Sequence, residues 1–283
     1  MPELPEVEVM RRDLDKEVLG RKIKSVEVTG ARSIRRHRNR KEFIDALTGH
    51  KFTGVQRRGK YLVLRLDGGD ALVVHLGMSG QLLRVKTARE KAPKHTHVVI
   101  TFQQGGLLRF VDPRTFGEMF VTAYDGIEQQ VDELAHIGVD PLEQPISWTD
   151  FGRMLAARST RLKALLMDQT FIAGIGNIYA DEALFSAGIH PGLLARRLTT
   201  DLAMRLAQEI RRTLHEAIDA GGSTLRDYVD ATGRTGSFQE SHRVYGRGRQ
   251  PCLRCRSTLR SAPLSGRTTT WCPTCQSRSA RRA

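Results

Sequence analysis

The sequence predicts an α+β chain of several domains, and three observations carry that prediction. From about Ile23 to Thr122, short β-branched runs are broken by turn residues. From Trp148 onward the apolar pattern becomes helical, and all four cysteines fall after Pro251 in two Cys-x-x-Cys pairs. With 283 residues, 40% hydrophobic and 27% charged, the chain is long enough for two cores. No stretch approaches the ~18 apolar residues of a membrane span, and no basic segment leads into an early apolar run, so a cytoplasmic protein with no membrane partner is expected.

The first element is a helix. Pro5 suits a first helical turn, and Val7, Met10, Leu14 and Val18 follow at helical spacing, so the helix starts just after Pro2. A small residue in second place lets an initiator methionine be removed, which would leave Pro2 as a secondary amine able to attack a sugar carbon and continue as an imine. Glu3 beside it is a ready proton carrier. An α-amino group titrates near 7.7–8.0, and a positive charge at a helix N-terminus is disfavoured, which lowers that value. On these residues alone, an ordinary acidic, proline-containing helix cap fits equally well.

The strands come next. Tyr61 to Leu66 and Ala71 to Leu76 flank Asp67-Gly68-Gly69-Asp70, and His97 to Phe102 and Leu107 to Val111 flank Gln103-Gln104-Gly105-Gly106. These are hairpins of a largely antiparallel β-sandwich. Asp140-Pro141-Leu142-Glu143-Gln144-Pro145 has the proline spacing of a linker. Beyond it, Leu162 to Gln169 and Ile178 to Ala187 read as helices around Gly174-Ile175-Gly176-Asn177. Leu202, Leu206, Ile210, Leu214, Ala217 and Ile218 make one face of a long helix that starts after Thr199 or Thr200 and stops at Gly221-Gly222. A glycine turn between helices exposes backbone N–H groups that can hold a phosphate, although a plain helix–helix turn looks the same.

The last element is a finger. Cys252, Cys255, Cys272 and Cys275, with sixteen residues between the pairs, have the spacing of a four-thiolate zinc site. One structural zinc ion per chain is expected, and it takes no part in chemistry because four cysteines leave no position open for water. Leu259 to Thr270 reads as a hairpin carrying Arg260 and Arg267. The formal net charge is +14, and from His242 to Ala283 there are ten arginines with no lysine, aspartate or glutamate, which attracts polyanions. Arg278, Arg281 and Arg282 are expected to add only nonspecific attraction.

Seven blocks in one order resemble the formamidopyrimidine-DNA glycosylase/endonuclease VIII family over essentially the whole chain. They are Pro2 to Glu8, Arg57 to Leu62, His75 to Gly80, Lys94 to Val98, Asp112 to Gly117, Gly174 to Glu182 and the four-cysteine module. The resemblance implies an N-terminal catalytic β-sandwich domain (1–135), a linker (136–145), a helix-two-turn-helix DNA-binding domain with a lesion-capping loop (146–241) and a zinc-ribbon finger (242–283). It also implies base-excision repair of damaged double-stranded DNA by a monomer that is both glycosylase and abasic-site lyase.

In that resemblance Pro2 is the Schiff-base nucleophile and Glu3 the proton carrier. Lys60 matches a lysine at the phosphate by the lesion, and Arg267 the finger arginine; both assist elimination. Met78, Arg114 and Phe116 match the residues that fill the duplex where a damaged nucleotide has left it. Asn177, His95 and Arg158 match phosphate contacts, while His97 is left structural. Thr115 stands where the family commonly carries a basic residue, so the implied contact there lacks its cation. The residues Ser223 to Tyr245, with Gly233 and Gly236, resemble the loop that closes over an oxidised purine. That loop and the Met78, Arg114 and Phe116 set favour purine lesions; an endonuclease VIII-like enzyme for oxidised pyrimidines and a non-catalytic zinc-ribbon DNA-binding protein are the alternatives.

Overall fold

The computed structural model describes residues 1–87, 89–144 and 147–276; the expectations for Pro145, Arg278, Arg281 and Arg282 lie outside them. The chain forms two compact units: Met1–His136 with Ile218–Gln239, and Ile137–Ala217 with the residues from Glu240 onward.

In the first unit, α1 (Leu4–Val18) follows Glu3, whose extended backbone makes it the N-cap; Pro5 lies in the first turn and needs no N–H partner there. Eight strands follow: β1 (Ile23–Val28), β2 (Phe52–Arg58), β3 (Tyr61–Leu66), β4 (Asp70–His75), β5 (Gln81–Val85), β6 (Thr96–Phe102), β7 (Leu107–Val111) and β8 (Glu118–Ala123). They pair antiparallel into two sheets, ordered β1-β6-β7-β5 and β2-β3-β4-β8. This is the sandwich that the alternating hairpins predict. Val7, Met10, Leu14 and Val18 of α1 share its core with Leu62, Leu64, Leu72, Val74, Phe102 and Phe110, all buried. Helix α2 (Arg40–Leu47) is capped by the Asn39 side chain, which accepts from the Glu42 N–H at 3.0 Å.

Residues 223–239 make contacts within the first unit. Ser223 N donates to Glu6 Oε1 (2.8 Å), Tyr228 Oη to Glu6 O (3.3 Å), and Arg84 N to Ala231 O (2.7 Å). Gly233 has φ +85, a left-handed conformation that favours glycine, and nothing lies within 4 Å of where its Cβ would be. Gly236 has a different reason to be glycine: a Cβ there would lie 2.2 Å from Gly222 O, so two backbones pack directly.

In the second unit, α5 (Trp148–Ala156), α6 (Leu162–Leu166), α7 (Asn177–Ser186) and α8 (Thr200–Asp219, its last two residues counted with the first unit) follow the short helices α3 (Ile127–Gln130) and α4 (Asp132–Ala135) of the first. The helix expected over Leu162 to Gln169 ends at Leu166 because side chains further on capture the backbone. Asp168 Oδ1 accepts from Thr170 N (2.9 Å), and the Gln169 amide bonds Gly174 N, Met167 O and Ile175 O at 2.8–2.9 Å. The finger hairpin is β9 (Arg260–Leu264) and β10 (Arg267–Trp271), joined by Ser265 and Gly266 at φ +51 and +75, the signs a two-residue I′ turn requires.

Candidate functional site

At the head of α1, Pro2 and Glu3 are both buried, and the Glu6 carboxylate accepts from the Glu3 N–H at 2.8 Å. Glu6 is itself buried, and its other oxygen holds Ser223, so one carboxylate fixes both the start of the helix and the loop after Gly222. Met1 precedes Pro2 here and is half-exposed.

Lys60 sits in the two-residue turn between β2 and β3, after Gly59 at φ +56. An edge lysine would be solvated; this one is only 8% exposed. The turn is tied to α1 by Arg57, whose guanidinium donates to Glu8 Oε2 (3.1 Å) and to Gly59 O (3.2 Å). Burial pushes the Glu8 carboxyl up, but hydrogen bonds from Arg11 and Arg12 and the charge of Arg57 outweigh it and hold Glu8 below the usual carboxylate range. Sequence reasoning missed Glu6 and Glu8. Their three-residue spacing from Glu3 and from Arg11 was visible, but their partners lie 217 and 49 residues away.

Met78 and Phe116 are 40% and 47% exposed, Arg114 is exposed, and its guanidinium lies 5.4 Å from the Phe116 ring centroid. These apolar side chains are therefore outside the core. The loops that carry them meet backbone to backbone: Gly77 has φ +62, and a Cβ on it would lie 2.5 Å from Gly117 N. Thr115, between Arg114 and Phe116, has φ +55, a left-handed conformation that a β-branched residue adopts only under constraint. Arg32 Nε donates to Thr115 O (3.0 Å) and Arg35 to Gly117 O (2.9 Å). His95 is exposed at φ +64, whereas the partly buried His97 ring lies 2.9 Å from Asp112 O.

In the second unit, Asn177 opens α7 after the extended Gly176, and its Nδ2 donates to Thr268 O at 3.3 Å. This brings it beside Arg267, the exposed first residue of β10. One turn further along α7, Asp181 Oδ2 accepts from Thr270 N (3.1 Å), while Lys163 Nζ reaches Asp181 Oδ1 (2.8 Å), Thr268 O (3.0 Å) and Thr269 Oγ1 (2.9 Å). Glu182 accepts from the N–H groups of Arg243, Val244 and Tyr245 at 2.8–2.9 Å. Arg158 is exposed, on the stretch between α5 and α6.

The Sγ atoms of Cys252, Cys255, Cys272 and Cys275 all lie within 4.8 Å of one another. Cys255 and Cys272 are 3.4 Å apart and Cys252 and Cys275 4.0 Å, far beyond the ~2.05 Å of a disulfide and near the ~3.8 Å edge of a tetrahedron with 2.3 Å zinc–sulfur bonds. The donor set fits zinc. Among the described residues no helix is long and apolar enough to cross a membrane.

Three family profiles match the chain in order. They are described as the formamidopyrimidine-DNA glycosylase N-terminal domain (residues 1–119), the formamidopyrimidine-DNA glycosylase H2TH domain (137–229) and the zinc finger found in FPG and IleRS (249–278). A formamidopyrimidine-DNA glycosylase of Heliobacterium modesticaldum is 44% identical over 278 residues, covering 98% of this chain and 100% of that protein. One of Salinispora arenicola is 46% identical over 283 residues, covering 98% and 97%. Among solved structures, wild-type Lactococcus lactis Fpg (MutM) with DNA containing N7-benzyl-Fapy-dG superimposes with a TM-score of 0.89 at 34% identity, covering 98% of this chain and 100% of that one. MutM in complex with DNA containing carbocyclic 8-oxo-G gives 0.88 at 34% identity, with the same coverage.

Proposed function

The chain belongs to the formamidopyrimidine-DNA glycosylase family, and on that premise we propose that it removes oxidised purines, 8-oxoguanine and formamidopyrimidines, from duplex DNA and then cuts the abasic strand. The observation that carries this reading is the head of α1, where a buried Pro2 and Glu3 share one unit with a buried Lys60 and with the exposed Met78, Arg114 and Phe116.

Removal of Met1 makes the Pro2 nitrogen a secondary amine. It attacks C1′ of the extruded nucleotide as the bond to the damaged base breaks; the base leaves with the electron pair and takes up a proton. Glu3 handles the sugar oxygen as the ring opens and moves the protons that the imine requires. β-Elimination and then δ-elimination release the phosphates on the two sides, with Lys60 and Arg267 at the flanking phosphates. Base extrusion costs a few kcal/mol, offset by Met78 and Phe116 entering the gap and by Arg114 meeting the orphaned base. Asn177, His95 and Arg158 hold backbone phosphates, and the loop after Gly222 covers the lesion. Cys252, Cys255, Cys272 and Cys275 hold one zinc ion, which fixes the finger that carries Arg267. The enzyme works as a monomer on DNA in the bacterial cytoplasm.

The test is excision from duplexes that carry 8-oxoguanine, a formamidopyrimidine or an oxidised pyrimidine. The purine lesions are expected to be removed fastest, leaving a one-nucleotide gap with phosphate ends. Faster removal of the pyrimidine would make the protein endonuclease VIII-like, and binding without cutting would make it a non-catalytic DNA-binding protein.

A further inference from the structure

We infer that Asp112 is the positioning residue of the gap-filling loops, an inference that rests on the excision reading above. Asp112 is fully buried and its carboxylate is filled from two directions. Oδ1 accepts from Ser79 Oγ (2.6 Å) and from Arg114 N (3.2 Å), and Oδ2 accepts from Gly117 N (2.7 Å). Its backbone reaches a third loop: Asp112 N donates to His95 O (3.0 Å), while Asp112 O lies 2.9 Å from His97 Nε2 and accepts from Thr115 N (3.3 Å). One residue thus bonds the neighbour of Met78, both ends of the segment that carries Arg114 and Phe116, and His95.

A carboxylate taken out of water is unfavourable unless its oxygens are occupied, so this group is set against its donors and fixes them in turn. The bonds to Arg114 N and Gly117 N bracket Thr115, held at φ +55 against its own preference. There is no slack beside them. A Cβ on Gly117 would lie 2.7 Å from Phe110 Cζ and 3.1 Å from Asp112 Oδ2. Loss of the carboxylate therefore releases the strained Thr115 and moves Phe116 and Arg114 relative to Met78. Fully buried, Asp112 acts through its donors and sets the spacing of three side chains that must enter one gap together.

The test compares Asp112→Asn and Ser79→Ala with the wild type on two substrates. Asp112→Asn keeps the shape but turns one oxygen into a donor that faces a backbone N–H; Ser79→Ala leaves the carboxylate and removes the hydroxyl that donates to Oδ1 and itself accepts from Arg114 N (3.2 Å). Single-turnover excision of 8-oxoguanine from duplex DNA is expected to fall about 100-fold in Asp112→Asn, the size of effect a displacement of about 1 Å has on catalysis. In Ser79→Ala it is expected to fall roughly 10-fold, the equivalent of one hydrogen bond to a charged group. Cutting at a preformed abasic site in single-stranded DNA, where no duplex gap needs filling, is expected to be unchanged in both. The fluorescence rise of a 2-aminopurine beside the lesion, which reports extrusion, should be lost in parallel with excision.

Equal loss on both substrates would make Asp112 a merely structural residue and overturn the inference, as would unchanged excision by Asp112→Asn. Should Asp112→Asn fail to fold, an unaltered ratio of excision to abasic cutting in Ser79→Ala overturns it equally. A wild type that excises nothing from any duplex overturns the functional reading beneath it as well.

Discussion

Lys163 Nζ lies 2.8 Å from Asp181 Oδ1, and both side chains are 1% exposed. The pair bolts the finger hairpin to the helices that precede it, because both partners also hold β10: Lys163 at Thr268 and Thr269, Asp181 at Thr270. Burial pushes the Asp181 carboxyl up to about 6 even though the Lys163 ammonium pulls it down. The register between Asn177 and Arg267 therefore depends on a charge pair that is costly to break and was costly to bury.

Lys163→Met leaves Asp181 buried and unpaired, and a loss of about 3–5 kcal/mol is expected, read as a lower urea midpoint. Lys163→Met with Asp181→Leu should recover most of that stability. DNA affinity should still be reduced in the double variant if the pair sets the hairpin register, and fully restored if the pair only serves folding.

Met78→Ala and Phe116→Ala are expected to change stability by less than about 0.5 kcal/mol, as at exposed positions generally, and to slow excision from duplex DNA strongly. A loss of about 2–5 kcal/mol with normal turnover would place them in the core instead. Arg114→Ala should act like these two variants and also alter the preference for the base opposite the lesion, because a guanidinium reads that base's edge.

Burial lowers the pKa of His242 to about 4, only partly opposed by a hydrogen bond with the Tyr245 backbone. Its folded value is depressed below the ordinary 6.5, so between pH 6.5 and 4 the unfolded chain takes up a proton that the folded one refuses. Stability from this group is therefore level above about pH 7 and lost as pH falls through that window, on the order of 3 kcal/mol in all. Urea midpoints at pH 7.5 and 5 should differ less in His242→Gln than in the wild type. Comparing the two proteins cancels Asp181, which works in the opposite direction because its folded pKa is raised.

Much of this was legible in the sequence, for local reasons. The alternation around Asp67 to Asp70 and Gln103 to Gly106 gives the hairpins, the spacing of Val7, Met10, Leu14 and Val18 gives the buried face of α1, and two Cys-x-x-Cys pairs give the sulfur cluster. What escaped is held by long-range partners. Lys163 reads as one more cation until Asp181 and Thr268 close around it, and the acids of Asp181-Glu182 look like a solvated helix face until they grip 243–245 and 270. The early end of α6 escaped because propensity favours helix through Met167, whereas the Asp168 and Gln169 side chains redirect the backbone. The segment from Ser223 to Gln239 follows the long helix in sequence, but Glu6 claims it for the other unit.

The cysteine cluster carries its own test. Cys272→Ser, or chelation of the wild type, should release one zinc per chain and unfold the finger, because metal binding supplies folding energy in so small a module. DNA binding should be lost while the sandwich keeps its circular-dichroism melting transition. Active protein with no zinc on metal analysis would refute this assignment.

In the proposed mechanism the nitrogen of Pro2 is the nucleophile, which borohydride trapping on 8-oxoguanine duplex DNA, followed by mass mapping of the crosslinked peptide, tests. The expected result is a single crosslink at Pro2 in protein that lacks Met1, strongly reduced in Pro2→Gly. Equal trapping by protein that retains Met1, or a crosslink mapped to Lys60, would contradict it.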